Sequence, residues 1–160
     1  MPEGTTLIIG HNRAGKTTAA HVMANLMDVR CAATAEVIYD NMVKEMHCMS
    51  LKAYGDFYKS PELRAAMFAY GRQVCKDDPA ALVRMCLEKA PIVDGVRSRD
   101  EFEIAKELFE HIIWIESPRG EPSDHTQVTI EDATYVIVND GTMSQFMDKI
   151  MLCTRELFNV

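Results

Sequence analysis

The chain has 160 residues, 48% of them hydrophobic and 26% charged, with a formal net charge of −7. That balance predicts one soluble globular domain with its own core, and the acidic excess argues against a general nucleic-acid surface, which needs a basic stripe. No apolar run approaches the roughly 18 residues of a membrane span, and the acidic opening "MPEG" is unlike a secretory leader, so a cytoplasmic location is expected.

In chain order, "TTLII" (5–9) reads as a buried strand, and from Lys16 a helix follows with Ala19, Val22, Met23, Leu26 and Met27 on one stripe. "RCAAT" (30–34) fits a short strand and "AEVIYDNMVKEM" (35–46) an amphipathic helix, followed by an aromatic, turn-rich loop over 47–59. Ser60-Pro61-Glu62 opens a helix with a cap, a proline at the first helical position and an acid in the first turn. Asp78-Pro79 opens another over 79–89 in the same way. Ser98-x-x-Glu101 is a capping box for a helix to about Glu110, and Thr142-x-x-Gln145 is one for the last helix. Short apolar runs at 91–94, 111–116 and 134–138 alternate with these helices. Strands alternating with helices predict a parallel sheet covered on both faces, with ligands beyond the carboxyl ends of the strands.

Five cysteines, odd in number and without CxxC spacing, read as buried thiols of a reducing compartment and not as a disulfide framework or zinc site. The chemistry is carried by Gly10-His11-Asn12-Arg13-Ala14-Gly15-Lys16-Thr17, which fits GxxxxGK[ST] at every fixed position. Such a loop curls its N–H groups inward at a helix N-terminus, so Gly10, Asn12, Arg13, Ala14, Gly15, Lys16, Thr17 and Thr18 are the candidate ATP-binding set. Lys16 would reach the β- and γ-phosphates, and the Thr17 hydroxyl would ligate Mg²⁺. Asp94, at the end of the hydrophobic "PIVD" run, would complete the metal environment. Arg97, three residues on, would project into the same crevice, where a guanidinium binds phosphate oxygens bidentately. Arg99 lies inside the helix and is expected to be solvated or paired with Asp100 or Glu103.

A GxxxxGKT loop followed by a strand ending "DGVR" resembles the P-loop nucleoside-monophosphate kinase superfamily, most closely bacteriophage-type deoxynucleoside monophosphate kinases and their dephospho-CoA kinase-like relatives. The stretch "LRAAMFAYGRQVCKDDPAALVRMCLEKAPIVDGVRSRDEFE" resembles their arginine helix, tyrosine-glycine break, second helix and DGVR strand, and "ATYVIVNDG" their last strand and Asn-Asp-Gly turn. The resemblance implies a five-stranded P-loop fold, 1–160 as one kinase domain, with a helical acceptor-binding insertion at 35–78 and a short lid at 116–132. It implies Mg²⁺ and ATP as cofactor and donor, nucleotide substrates, and no nucleic-acid or membrane partner. Arg97, Arg64 and Arg72 would hold the acceptor phosphate, while Asn139 and Gly141 would lie against the donor adenine. Tyr54, Phe57, Tyr58 and Tyr70 would stack on the acceptor base or pack the insertion. Arg119, the only basic residue of the lid, would join Lys16 and Arg97 as a catalytic cation, whereas His125 reads as a turn residue.

The expected activity is phosphoryl transfer from ATP to a (deoxy)nucleoside monophosphate. A kinase with a non-nucleotide acceptor such as dephospho-CoA, or a non-catalytic nucleotide-binding module, are the alternatives. The apolar last helix is long enough to pack on the sheet or on a second copy in a homodimer.

Overall fold

The computed structural model describes residues 4–46 and 61–160. The elements are β1 (Thr6–Ile9), α1 (Lys16–Met27), β2 (Cys31–Ala33), α2 (Thr34–Met46), α3 (Pro61–Val74), α4 (Ala81–Leu87), β3 (Ile92–Asp94), α5 (Arg99–Ala105), β4 (His111–Glu116), β5 (Tyr135–Val138) and α6 (Met143–Phe158). Two short 3-10 turns, Lys106–Leu108 and Ile130–Asp132, precede β4 and β5. The sheet order is β2-β3-β1-β4-β5 and every pairing is parallel, so the expected five-stranded α/β sheet is what forms.

Strand alternation sorts the side chains to two faces. Leu7, Ile9, Val93, Ile112 and Trp114 join Val37, Val83, Cys86 and Phe102 beneath α2, α4 and α5. Ile8, Ile92, Ile113, Ile115 and Ile137 join Ala19, Met23, Phe146 and Ile150 beneath α1 and α6. Because both faces are covered, the central strands read as apolar runs without polar interruption. Cys86 and Cys153 are buried in these clusters, Cys31 and Cys75 are half-buried, and all four are free thiols whose pKa values burial raises. No helix among the described residues is long and apolar enough to cross a membrane.

Three expectations about the helices need correction. The helix opening at Ser98 leaves α geometry at Ala105 and tightens to a 3-10 turn, instead of running to Glu110. Phe109 has to turn into the core there, and the Glu110 and His111 N–H groups both donate to the Thr5 carbonyl, which starts β4. The helix near Pro79 begins only at Ala81, because Asp78 forms the turn itself: its carboxylate accepts from the Ala80 N–H and its carbonyl from Ala81.

The third correction is at Tyr70-Gly71, where the helix continues unbroken to Val74. Gly71 is buried, and a Cβ there would sit 3.1 Å from Ile38 Cδ1 of α2. The glycine allows close approach of two helices and makes no break. Tyr39, Leu63 and Met67, with Ile38, Met42 and Val43 around them, form the remaining apolar seam between α2 and α3. Gly71→Ala is therefore expected to be near neutral, since about 1 kcal/mol of helix propensity offsets a small shift of the Ile38 tip. Gly71→Leu should lower stability by about 1–3 kcal/mol through overpacking. Urea unfolding of both variants checks the pair, and equal losses would mean that the helix contact is not the reason for glycine.

The loop expected at 47–59 lies outside the described residues, as do Cys48, Tyr54, Phe57, Tyr58 and the cap residue Ser60. Tyr70 donates to Glu45 of α2, so within the described part it ties the two helices together.

Candidate active site

β1 and β3 are neighbours at the centre of the sheet, and the loops after Ile9 and Asp94 leave it at the same edge. The first loop wraps towards α1. Arg13 and Gly15 have positive φ, 62° and 107°, and a Cβ on Gly15 would lie 2.9 Å from Asn139 Nδ2. Gly15 is also the N-cap of α1 and offers no side chain to it. The N–H groups of the first turn, at Lys16, Thr17 and Thr18, thus have no capping side chain and the helix dipole behind them, which suits an anion. Asn139, at the end of β5, donates to the Ala14 carbonyl at 2.9 Å and fixes the loop from behind.

Lys16 folds back over its own loop, with Nζ 2.6 Å from the His11 carbonyl. Burial and the positive charge of Arg97 bring its pKa down to about 8, against the pull of Asp94. Thr17 Oγ1 donates to Asp94 Oδ2 at 3.1 Å. Burial pushes the Asp94 carboxyl above its usual range, opposed first by the Thr17 hydrogen bond and then by Lys16. Thr17 and Asp94 line one small cavity together with His21, Cys31 and Glu36. A hydroxyl and a buried carboxylate at hydrogen-bond distance, with a second carboxylate in the same cavity, are the hard oxygen donors that Mg²⁺ takes.

After Asp94 the chain turns at Gly95, with φ 106°, where a Cβ would collide with Thr34 Oγ1 at the start of α2. Val96 then buries in the core and Arg97 is exposed. The Arg97 charge acts on both Lys16, whose pKa it lowers, and Glu101, whose rise it opposes. Arg64 and Arg72 are exposed on α3, and Arg72 lies 5.2 Å from the Phe68 ring centroid.

The segment between β4 and β5 rests on these loops. The Glu121 N–H donates to the Asn12 carbonyl at 2.8 Å, and Arg13 pairs with Glu121 at 2.9 Å. Arg119 Nη2 reaches the Gly141 carbonyl at 3.1 Å, so this arginine lies against the Asn-Asp-Gly turn after β5. The His125 ring is exposed and packs 4.8 Å from the Phe68 ring of α3. Arg99 pairs with Glu103, one of its two expected partners, but its closer bonds are to Asp132, at 2.7 and 2.8 Å.

Sequence reasoning missed Glu36, Gln127 and Asp132. Asp132 had a signal, since Thr129-x-x-Asp132 is a further capping box and both of its bonds form. Glu36 had none, because its approach to Asp94 depends on the pairing of β2 with β3.

Glu101 is a second carboxyl whose pKa burial raises. Burial brings it up to about 7, against the opposing pull of the Arg97 main-chain N–H and side-chain charge. Its Oε1 is buried without a partner. Between pH 4.5 and 7 the folded protein keeps a proton that the unfolded chain has lost, so this group's contribution falls as pH rises through that window and is constant above it. Glu101→Gln is expected to remove up to about 3 kcal/mol of that slope. Urea unfolding at pH 5.5 and pH 7.5 reads it, and equal slopes in wild type and variant would refute it.

No protein-family profile matches the chain, and no curated protein matches it in sequence. Solved structures do match. The shikimate kinase of Bacteroides thetaiotaomicron superposes with a TM-score of 0.55 at 12% identity, covering 97% of this chain and 98% of that one. The dephospho-CoA kinase of Campylobacter jejuni gives 0.52 at 14% identity, covering 98% of each chain. The shikimate kinase of Aquifex aeolicus gives 0.50 at 12%, covering 94% and 96%. Identities this low speak to architecture, and with five parallel strands, a glycine loop after the first and an aspartate ending the third, that architecture is the P-loop fold those kinases share.

Proposed function

We propose that this protein transfers the γ-phosphoryl group of Mg·ATP to the phosphate of a nucleoside monophosphate, giving the diphosphate. The observation that carries the reading is the meeting of three elements at the edge of β1 and β3: uncapped Lys16 of the phosphate loop, the Thr17–Asp94 pair 3.1 Å apart, and the Arg97 charge felt at Lys16. A second cation facing the donor lysine is the kind of group that an acceptor phosphate takes.

In this reading the α1 N-terminus and Lys16 bind the donor phosphates, with Gly141 and Asn139 beside the adenine. Thr17 and Asp94 would hold Mg²⁺, which supplies charge neutralisation between donor oxygens when bound. Arg97, with Arg64 and Arg72 on α3, fixes the acceptor phosphate. The reaction asks for positioning and charge stabilisation more than for a strong base, so a site without an obvious base is consistent with it. Arg119 would leave the Gly141 carbonyl for the transferred group once nucleotide is present. The preference for deoxynucleotides, and a phage-type setting in a host cytoplasm, rest on the "DGVR" and "NDG" resemblance. So do the division into an acceptor insertion at 35–78 and a lid at 116–132.

The likeness to dephospho-CoA kinase over full chain lengths favours a second reading, in which the acceptor is dephospho-CoA. A coupled ADP-release assay over the eight common ribo- and deoxyribonucleoside monophosphates, with dephospho-CoA and shikimate alongside, separates them. Turnover only with a monophosphate supports the first reading. Turnover only with dephospho-CoA replaces it with the second. ATP binding without turnover on any acceptor would leave a nucleotide-binding module.

A further inference from the structure

Arg97 sits on a loop, yet its main chain is held: its carbonyl accepts from the Gln127 N–H at 2.7 Å, and its N–H is on the side of the Glu101 carboxylate. Gln127 does more than close that bond. Its Oε1 accepts from the Arg99 N–H at 2.9 Å, and its carbonyl accepts from Arg99 Nη2 at 2.9 Å. Three hydrogen bonds therefore bracket the stretch from Arg97 to Arg99 against one residue of the segment between β4 and β5.

The bracket is itself held. Arg99 grips Asp132 with both Nη atoms, at 2.7 and 2.8 Å, in the planar fork that guanidinium and carboxylate share. Asp132 also accepts from the Thr129 N–H at 2.7 Å, and Val128 is buried in the same cluster as Val96. Gln127 and Val128 thus lie against the turn after β3, with a polar tie and an apolar one side by side.

We propose that Gln127, fixed by the Arg99–Asp132 fork, is a positioning residue for Arg97, setting where the acceptor cation stands relative to Lys16. This rests on the reading of Arg97 as the acceptor-phosphate ligand. An arginine on a free loop loses backbone and side-chain freedom when phosphate binds, whereas on a loop already fixed only the side-chain part remains to be lost. Loss of the bracket therefore weakens acceptor capture and leaves donor capture alone. A bracket that served folding only would change stability and move neither Michaelis constant. The first half of the same segment lies on the phosphate loop through Glu121 and Asn12, so one stretch of chain spans both substrate loops.

The test uses the full chain with ATP and the monophosphate that turns over fastest in the panel above. Gln127→Met keeps size and loses the oxygen facing the Arg99 N–H, while Gln127→Glu keeps that oxygen. Gln127→Met and Asp132→Asn are each expected to raise the acceptor KM about tenfold, with the ATP KM within about twofold, and Gln127→Glu to stay close to wild type. Hydrogen exchange gives a readout without turnover: the Arg99 and Gln127 amides should lose protection in Gln127→Met and Asp132→Asn. If Arg97→Lys raises the acceptor KM while neither of those variants does, the inference falls and the function stands. If Arg97→Lys leaves the acceptor KM unchanged, the reading of Arg97 falls and takes the inference with it. If no monophosphate turns over, the reading of function has failed by itself, and unchanged amide protection in both variants would overturn the bracket as well.

Discussion

Lys16→Met is expected to lower kcat by about three orders of magnitude while hardly moving the unfolding temperature of the ligand-free protein. The two halves of that expectation have different causes. In the free protein the ammonium bonds to the His11 carbonyl at 2.6 Å, a charge-assisted contact worth about 1.5–3 kcal/mol. Against it stands the burial that, with Arg97, lowers the lysine pKa from 10.5 to about 8. A shift of that size corresponds to a cost of about 3 kcal/mol, fully present below pH 8 where both folded and unfolded chains carry the proton. Contact and cost nearly cancel, and methionine keeps the apolar stem. With nucleotide bound the balance changes, because the charge then meets phosphate. ADP release and ligand-free thermal unfolding measure the two halves, and a large loss of stability with turnover retained would make the lysine structural.

Asp94→Asn carries the second large effect, and here stability and activity are expected to move in opposite directions. The side chain is almost fully buried, and burial is the main reason its carboxyl lies above its usual range. An amide of the same shape still accepts the Thr17 hydrogen bond but carries no charge to desolvate. The ligand-free variant should be as stable as wild type or more so, by about 1 kcal/mol. Its kcat should fall about 10²- to 10³-fold, since the proposed Mg²⁺ site would lose the carboxylate paired with Thr17. Urea unfolding and a rate-against-Mg²⁺ titration decide it. A destabilised variant with an unchanged Mg²⁺ profile would make Asp94 a strand-end residue that only fixes the turn at Gly95.

The parts of the fold and site that could be read from sequence are those whose cause is local. Gly10 to Thr17 is a contiguous loop, Ser98 and Thr142 cap their own helices, and the apolar runs of the strands are short and uninterrupted. What escaped depends on distance along the chain. Gly71 looks like a break because glycine usually is one, and only the position of Ile38 on α2 shows that it is a packing site. Asp132 finds Arg99 33 residues away, and Asn139 finds the Ala14 carbonyl 125 residues away. The early end of α5 is of the same kind, since the pull of the Thr5 carbonyl on Glu110 and His111 comes from the first strand.

The unbroken run of α3 through Gly71 also decides how the molecule can open. Where two helices are seated as closely as α2 and α3 are at Ile38 and Gly71, neither has a joint at mid-length, and bending either would first have to separate the seam at Leu63 and Met67. The pair therefore travels as one plate. In the proposed reading, a swing of Arg64 and Arg72 towards Lys16 would pivot at the ends of that plate, around Thr34 beside Gly95 and around Cys75 to Asp78 ahead of α4. The pivot of the acceptor side would then lie next to the turn at Gly95, which would put opening and phosphate capture side by side.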